Sequence, residues 1–221
     1  MAGWATKNSQ GAGKRIFCSS IIFACTIFHI SNCDKPPESE SEKVLSYLLK
    51  PSLAMYGDSV IAAWPIEKQL PEFNGAKFAF PVRNTYIILD SIQKDHQRYD
   101  ACLYEGGVND FLNNYAPDPA EVDATIDRQM QGIQILQTRC KHVIALNIWN
   151  VKFPWPTLAA SMITAKMKER INFIPRIDTE LLITDDMIPD GAHPNEKGYE
   201  VLSKAVREQL LPFFPILFLN E

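Results

Sequence analysis

The chain has 221 residues, 46% of them hydrophobic and 22% charged, and a formal net charge of −4 at pH 7. That length buries a core without metal or disulfide staples, and that hydrophobic share excludes a disordered polymer. Residues 1–32 hold Lys7, Lys14 and Arg15 but no acid, so all 26 acidic side chains lie beyond them, and so acidic a remainder argues against nucleic acid as a partner.

At the N-terminus, Lys14-Arg15 precedes an apolar run from Ile16 to Ile30 that Cys, Ser, Thr and His interrupt and that is too short to span a bilayer. Residues 1–32 read as a secretory signal. Cys33 follows, then a polar, proline-rich and acidic stretch from Asp34 to Glu42 without apolar periodicity, which reads as a tether reaching residue 50. This order resembles a bacterial lipoprotein, with Asn32 where the strict lipobox has Gly or Ala. The resemblance implies a lipidated Cys33, attachment to a membrane through its acyl chains, and an extracytoplasmic place in the cell envelope. Gly11-Ala12-Gly13-Lys14 is not a phosphate loop, because it lacks the first glycine, the Ser/Thr after lysine and a preceding strand.

The folded domain is expected over 51–221. Leu53 to Tyr56 is a short apolar run that stops at Gly57-Asp58-Ser59, so a buried strand meets a helix at a hydroxyl. Ser59 is a candidate nucleophile there, and its competing role is to cap the helix that follows. Pro65 prevents that helix from continuing regularly. Gly75 is read as the turn into a second strand, Ala76 to Phe80, and Thr85 to Gln97 as a helix with Ile87, Ile88 and Ile92 on one face. His96, in the last turn, is assigned no catalytic role.

A third strand, Ala101 to Glu105, runs into Gly106-Gly107-Val108-Asn109-Asp110. Asp118-Pro119-Ala120-Glu121 is a capping box with proline at the first helical position, opening a helix to about Arg139 with Val122, Ile126, Met130, Ile133 and Leu136 on its buried stripe. His142, read as structural, begins a fourth strand that runs to Trp149 and is apolar enough to be central in a parallel sheet. A helix over Thr157 to Ile171 and a short edge strand around Pro175 follow. Asp190-Gly191-Ala192-His193-Pro194-Asn195 then precedes a helix whose Tyr199, Leu202, Val206 and Leu210 share a face. Alternating strands and helices predict an α/β fold, a three-layer α/β/α sandwich on a mainly parallel sheet.

Of the five cysteines, Cys18 and Cys25 leave with the signal and Cys33 anchors, so Cys102 and Cys140 remain in the domain. Their spacing fits no metal site, and none is expected. The reading favours two buried thiols, with a disulfide open to them in an oxidising envelope.

Ser59, Asn109 and the pair Asp190 and His193 therefore stand in three loops that such a fold gathers on one edge. A serine hydroxyl becomes a nucleophile when a neutral imidazole takes its proton, and the resulting imidazolium needs a carboxylate to orient and stabilise it. Asp190 and His193, three residues apart in a loop, can supply both. The blocks Gly57-Asp58-Ser59, Gly107-Val108-Asn109-Asp110 and Asp190-Gly191-Ala192-His193-Pro194-Asn195 resemble those of the SGNH hydrolases, the GDSL-type esterases and lipases, over roughly residues 51–211. The resemblance implies a flavodoxin-like fold, a catalytic triad of Ser59, Asp190 and His193, and an oxyanion hole made by the Ser59 N–H and Asn109. It implies cleavage of acyl or acetyl esters of small molecules, glycans or lipids through an acyl-enzyme, with no cofactor.

The family's second block normally adds a glycine donor, yet Phe80-Pro81-Val82-Arg83-Asn84-Thr85-Tyr86 has no glycine. Asn84, the residue there most tolerant of left-handed backbone, is read as the substitute donor. Trp64, Phe111, Tyr115 and Trp155 could line a pocket, but aromatics so spaced are more often core, and none is assigned to binding. An envelope lipoprotein that binds a ligand without turnover is the alternative; the presence of all three triad residue types argues against it.

Overall fold

In the computed structural model, residues 50–215 are described. The expected signal, Cys33 and most of the tether lie outside them. Five parallel strands form one sheet in the order β2-β1-β3-β4-β5: β1 Ser52–Gly57, β2 Asn74–Ala79, β3 Tyr99–Tyr104, β4 Cys140–Leu146 and β5 Arg176–Ile177. β1 pairs with β2 and β3 at once (Tyr56 opposite both Phe78 and Tyr104), which is why its residues from Leu53 onward are apolar and buried without alternation. β2, at the sheet's edge, alternates instead.

Each crossover carries helix. After β1 come α1 (Ser59–Ala63) and α2 (Ile66–Gln69), broken apart at Pro65 as expected. α3 (Thr85–Lys94), α4 (Pro119–Arg139) and α5 (Thr157–Arg170) connect the later strands and pack in sequence against one another, while α6 (Glu196–Leu210) packs on α2. The three-layer α/β/α sandwich is as predicted. Among the described residues, no helix is long and apolar enough to cross a membrane. The α4 capping box is present: Asp118 accepts from the Ala120 N–H at 2.8 Å and Glu121 from the Asp118 N–H at 3.0 Å. Val122, Ile126, Ile133 and Leu136 of α4 are buried, as are Tyr199, Leu202, Val206 and Leu210 of α6.

Three local readings are corrected. Gly75 lies within β2 rather than turning into it, and a Cβ there would come 2.4 Å from the tip of the Ile66 side chain of α2. β4 starts at Cys140, opposite Tyr99. Cys102 and Cys140 are joined in a disulfide between neighbouring strands, their Cα atoms 5.9 Å apart, instead of packing as two thiols.

With the order 2-1-3-4-5, the chain leaves β1 toward one edge and β3 leads toward the other. A crevice therefore opens at the carboxyl ends of β1 and β3, the general ligand position in such sheets. Ser59 follows the first of these strands and Asn109 the second.

Candidate active site

At the end of β1 the chain turns through Asp58, whose carboxylate accepts from the Val60 N–H at 3.0 Å and caps α1. Asp58, rather than Ser59, is thus the cap. The Ser59 hydroxyl is left to point at His193, with Oγ 2.8 Å from Nε2. On the other side of the ring, Nδ1 lies 2.6 Å from Asp190 Oδ2. The second oxygen of Asp190 accepts from the N–H groups of Ala192 (2.9 Å) and His193 (2.7 Å), so the carboxylate holds both the ring and the backbone of its own loop.

Two indoles brace that loop: Trp155 Nε1 donates to the Asp190 carbonyl at 2.9 Å and Trp149 Nε1 to the Ala192 carbonyl at 2.8 Å. Trp155 also meets His193 edge-on, ring centroids 5.1 Å apart. Gly191 between them has φ 88, and a Cβ there would stand 3.1 Å from Lys152, so the position requires glycine twice over. Burial raises the Asp190 carboxyl, but the Ala192 and His193 N–H groups and the His193 ring outweigh it and hold the carboxyl below the usual range. It is ionised whenever His193 is called upon.

The two halves of this relay come from positions 59 and 193, and α6 ties them together. Tyr199 donates to the Val60 carbonyl at 3.0 Å, and Trp64 Nε1 donates to Ser203 at 2.9 Å, which in turn donates to Gln69 at 3.0 Å. Asn195 caps α6 through the Gly198 N–H, fixing the helix start just after His193.

Asn109 lies in a 3-10 turn after β3, and its Nδ2 donates to Asp58 Oδ2 at 3.0 Å and to the Arg83 carbonyl at 3.1 Å. Asp110 beside it faces the other way. It accepts from the Thr85 N–H (2.7 Å), Thr85 and Thr125 hydroxyls and, at 2.8 Å, the Arg128 guanidinium, in a mostly buried ion pair that clamps the start of α3 and the second and third turns of α4 to the loop. Gln129 of α4 adds a 2.7 Å bond to the Gly106 carbonyl.

Asn84 does not adopt the left-handed backbone expected of it. Its backbone is extended (φ −87, ψ 174) and its side chain caps α3 by accepting from the Ile87 N–H at 3.1 Å. The left-handed residue of the segment is Val82, φ 64. Pro81 and Val82 form the turn from Phe80 to Arg83, and proline followed by positive φ is the type II pattern, which puts the left-handed conformation one residue after the proline whatever stands there.

Of the four aromatic residues, Trp64 and Phe111 are core and Tyr115 is exposed. Trp155 lines a small cleft of about 20 Å³ with Ser59, Val108, Asn109, Ile148, Trp149, Val151 and His193. Glu105 and Asp58 are also in its wall, and sequence reasoning passed over both. The signal for Glu105 was a carboxylate directly after the apolar run Ala101 to Tyr104; Glu105 is 1% exposed and Asp58 likewise 1%.

No family model matches the chain, and no curated protein is similar to it in sequence. Solved structures do share its fold. A GDSL-like lipase from Bacteroides thetaiotaomicron superposes with a TM-score of 0.60 at 15% identity, covering 74% of this chain and 89% of that one. A lipase/acylhydrolase from Enterococcus faecalis gives 0.60 at 16% identity over 74% and 96%. An acetylxylan esterase from Geobacillus stearothermophilus gives 0.54 at 14% identity over 72% and 94%. At these identities the likeness is one of fold.

Proposed function

We propose that the chain is a serine hydrolase of the SGNH type that cleaves esters through an acyl-enzyme. The observation that carries the reading is the continuous relay Ser59 Oγ, His193 Nε2, His193 Nδ1, Asp190 Oδ2, with gaps of 2.8 and 2.6 Å. With Nδ1 protonated and donating to Asp190, Nε2 presents its lone pair to the Ser59 hydroxyl and takes the proton as Oγ attacks the ester carbonyl. The Ser59 N–H and Asn109 Nδ2 receive the negative charge that develops on oxygen. An oxyanion is a stronger acceptor than the neutral Arg83 carbonyl, so it competes for the hydrogen that Asn109 spends there. His193 then returns its proton to the leaving alcohol and activates water to release the acid.

The cleft beside Ser59 holds only about 20 Å³, far less than the roughly 300–1,000 Å³ common for ligand pockets, and is walled by Val108, Ile148, Val151 and two indoles. Short acyl groups fit it better than long ones. The fold shared with an acetylxylan esterase and with lipases agrees with ester chemistry and leaves the alcohol open. The test is labelling with a serine-reactive fluorophosphonate alongside p-nitrophenyl esters of increasing chain length. The parent is expected to label and to prefer acetyl over long-chain esters, and Ser59→Ala to do neither. Undiminished labelling of Ser59→Ala would overturn the assignment.

A further inference from the structure

Glu105 carries a carboxyl into a buried place where the Asp58 backbone N–H gives a charge its support, outweighed by burial and by the Asp58 carboxyl. It is enclosed at the end of β3, and as a carboxylate its Oε2 would have no donor from which to accept. Gly57 is opposite: a Cβ at that position would stand 3.1 Å from Glu105 Oε2 and 3.0 Å from the Glu105 carbonyl, so the side chain lies across the strand that delivers the nucleophile. Its hydrogen-bonding partner is a second carboxyl, Asp58. Two carboxyl groups in such contact need one proton between them.

The proton's place follows from what else each group touches. Asp58 already accepts from the Val60 N–H and Asn109 Nδ2, both at 3.0 Å, and faces His193. Burial raises the Asp58 carboxyl too, but the Val60 N–H, the hydrogen bond with Glu105 and the neighbouring His193 oppose that rise, so of the two carboxyls Asp58 is the better placed to carry the charge. Around the pair, Tyr104 and Asp110 on β3 and its loop and Tyr199 on α6 offer no positive charge, and the nearby guanidinium of Arg128 is spent on Asp110 at 2.8 Å. Burial, followed by the charge of Asp58, raises the Glu105 carboxyl well above the usual range.

We propose that Glu105 is a positioning residue: it keeps its proton in the working protein, donates it to Asp58, and so holds Asp58 as the single-charged acceptor that aims the Asn109 amide at the reacting carbonyl. The role in catalysis rests on the hydrolase reading above; the protonation and the amide geometry do not. A second negative charge at this spot would repel Asp58, loosen Asn109 and oppose the oxyanion forming nearby. The protein therefore loses turnover on the alkaline side when Glu105 ionises, separately from the acid-side loss when His193 takes a proton.

Three measurements on the intact chain test this. Infrared difference spectra across pH are expected to show one protonated carboxyl at neutral pH in the parent, absent in Glu105→Gln, whose amide still donates to Asp58. The Nδ2 resonance of Asn109 in ¹⁵N spectra is expected to keep its position in Glu105→Gln and to move in Glu105→Met. With p-nitrophenyl acetate, Glu105→Met is expected to lower kcat toward the roughly 10²- to 10³-fold loss of an oxyanion donor with KM little changed, while Glu105→Gln recovers most of it and lacks the alkaline fall. The proposal is overturned if the parent shows no protonated carboxyl that Glu105→Gln removes, if the Asn109 resonance ignores Glu105→Met, or if the alkaline fall survives in Glu105→Gln. A parent that turns over no ester and takes no phosphonate would sink the hydrolase reading instead, and the spectra would still decide the proton.

Discussion

A β-branched residue at positive φ costs about 1–2 kcal/mol, and Val82 holds that conformation (φ 64) in the loop whose carbonyl at Arg83 touches Asn109. Asn84, which would bear it more easily, is engaged elsewhere as the cap of α3. Asn84→Ala is accordingly expected to cost about 1 kcal/mol of stability and to leave kcat close to the parent's; urea denaturation and ester turnover on the same samples check both. A large kcat loss at unchanged stability would restore a donor role. The same pair shows what local chemistry can and cannot reveal. Ser59, Asn109, Asp190 and His193 were legible because each lies in a short polar loop ending an apolar strand or opening a helix, where residue type alone announces a break. The left-handed position was placed at Asn84 instead of Val82 because Pro81, one residue before Val82, sets the turn. Glu105 was missed because its meaning lies in Asp58, a neighbour across the sheet.

At the level of strands and helices, the Cys102–Cys140 bridge joins β3 to β4 across 38 residues that include the Asn109 loop and the whole of α4. Closing a loop of that length restrains the unfolded chain by about 2–4 kcal/mol. The double variant Cys102→Ala/Cys140→Ala is expected to unfold at lower denaturant by that margin, and a parent treated with reductant to match it. Equal midpoints would mean that the bridge adds nothing. The long elements were legible from their periodicity: the α4 stripe and its capping box, the α6 face, the continuous apolarity of β4. What periodicity hid was the second face of α4, where Thr125, Arg128 and Gln129 reach the Gly106–Asp110 loop, because polar residues on a helix read as solvent-facing until the loop they support is in place. The two-residue β5 carries too short a pattern to fix its ends.

Across the whole molecule, stability should depend on pH partly through His142, at the opposite end of the sheet from Ser59. Its ring stacks on Phe213, centroids 3.8 Å apart. Burial, then the charge of Lys141, pulls the imidazole below its ordinary value against the opposing pull of Asp100. In the window between folded and unfolded values the unfolded chain binds the extra proton. This contribution is complete above the ordinary histidine range and is lost as pH falls through the lower, folded value; it is small because water still reaches the ring. His142→Phe keeps a stacked ring, and its melting temperature is expected to fall less than the parent's between about pH 8 and about pH 5. An identical fall in both would remove His142 as the cause. The α/β class was legible from the alternation of elements, whereas the strand order, and with it the crevice between β1 and β3, depends on pairings that no single segment encodes. That order has a temporal side as well. Ser59 is made 134 residues before His193, and the contacts that join them run through Tyr199 and Ser203 of α6. On the hydrolase reading, a growing or unfolded chain therefore carries an inert serine until α6 docks, so that reactivity toward phosphonate would serve as a clock for the completion of folding.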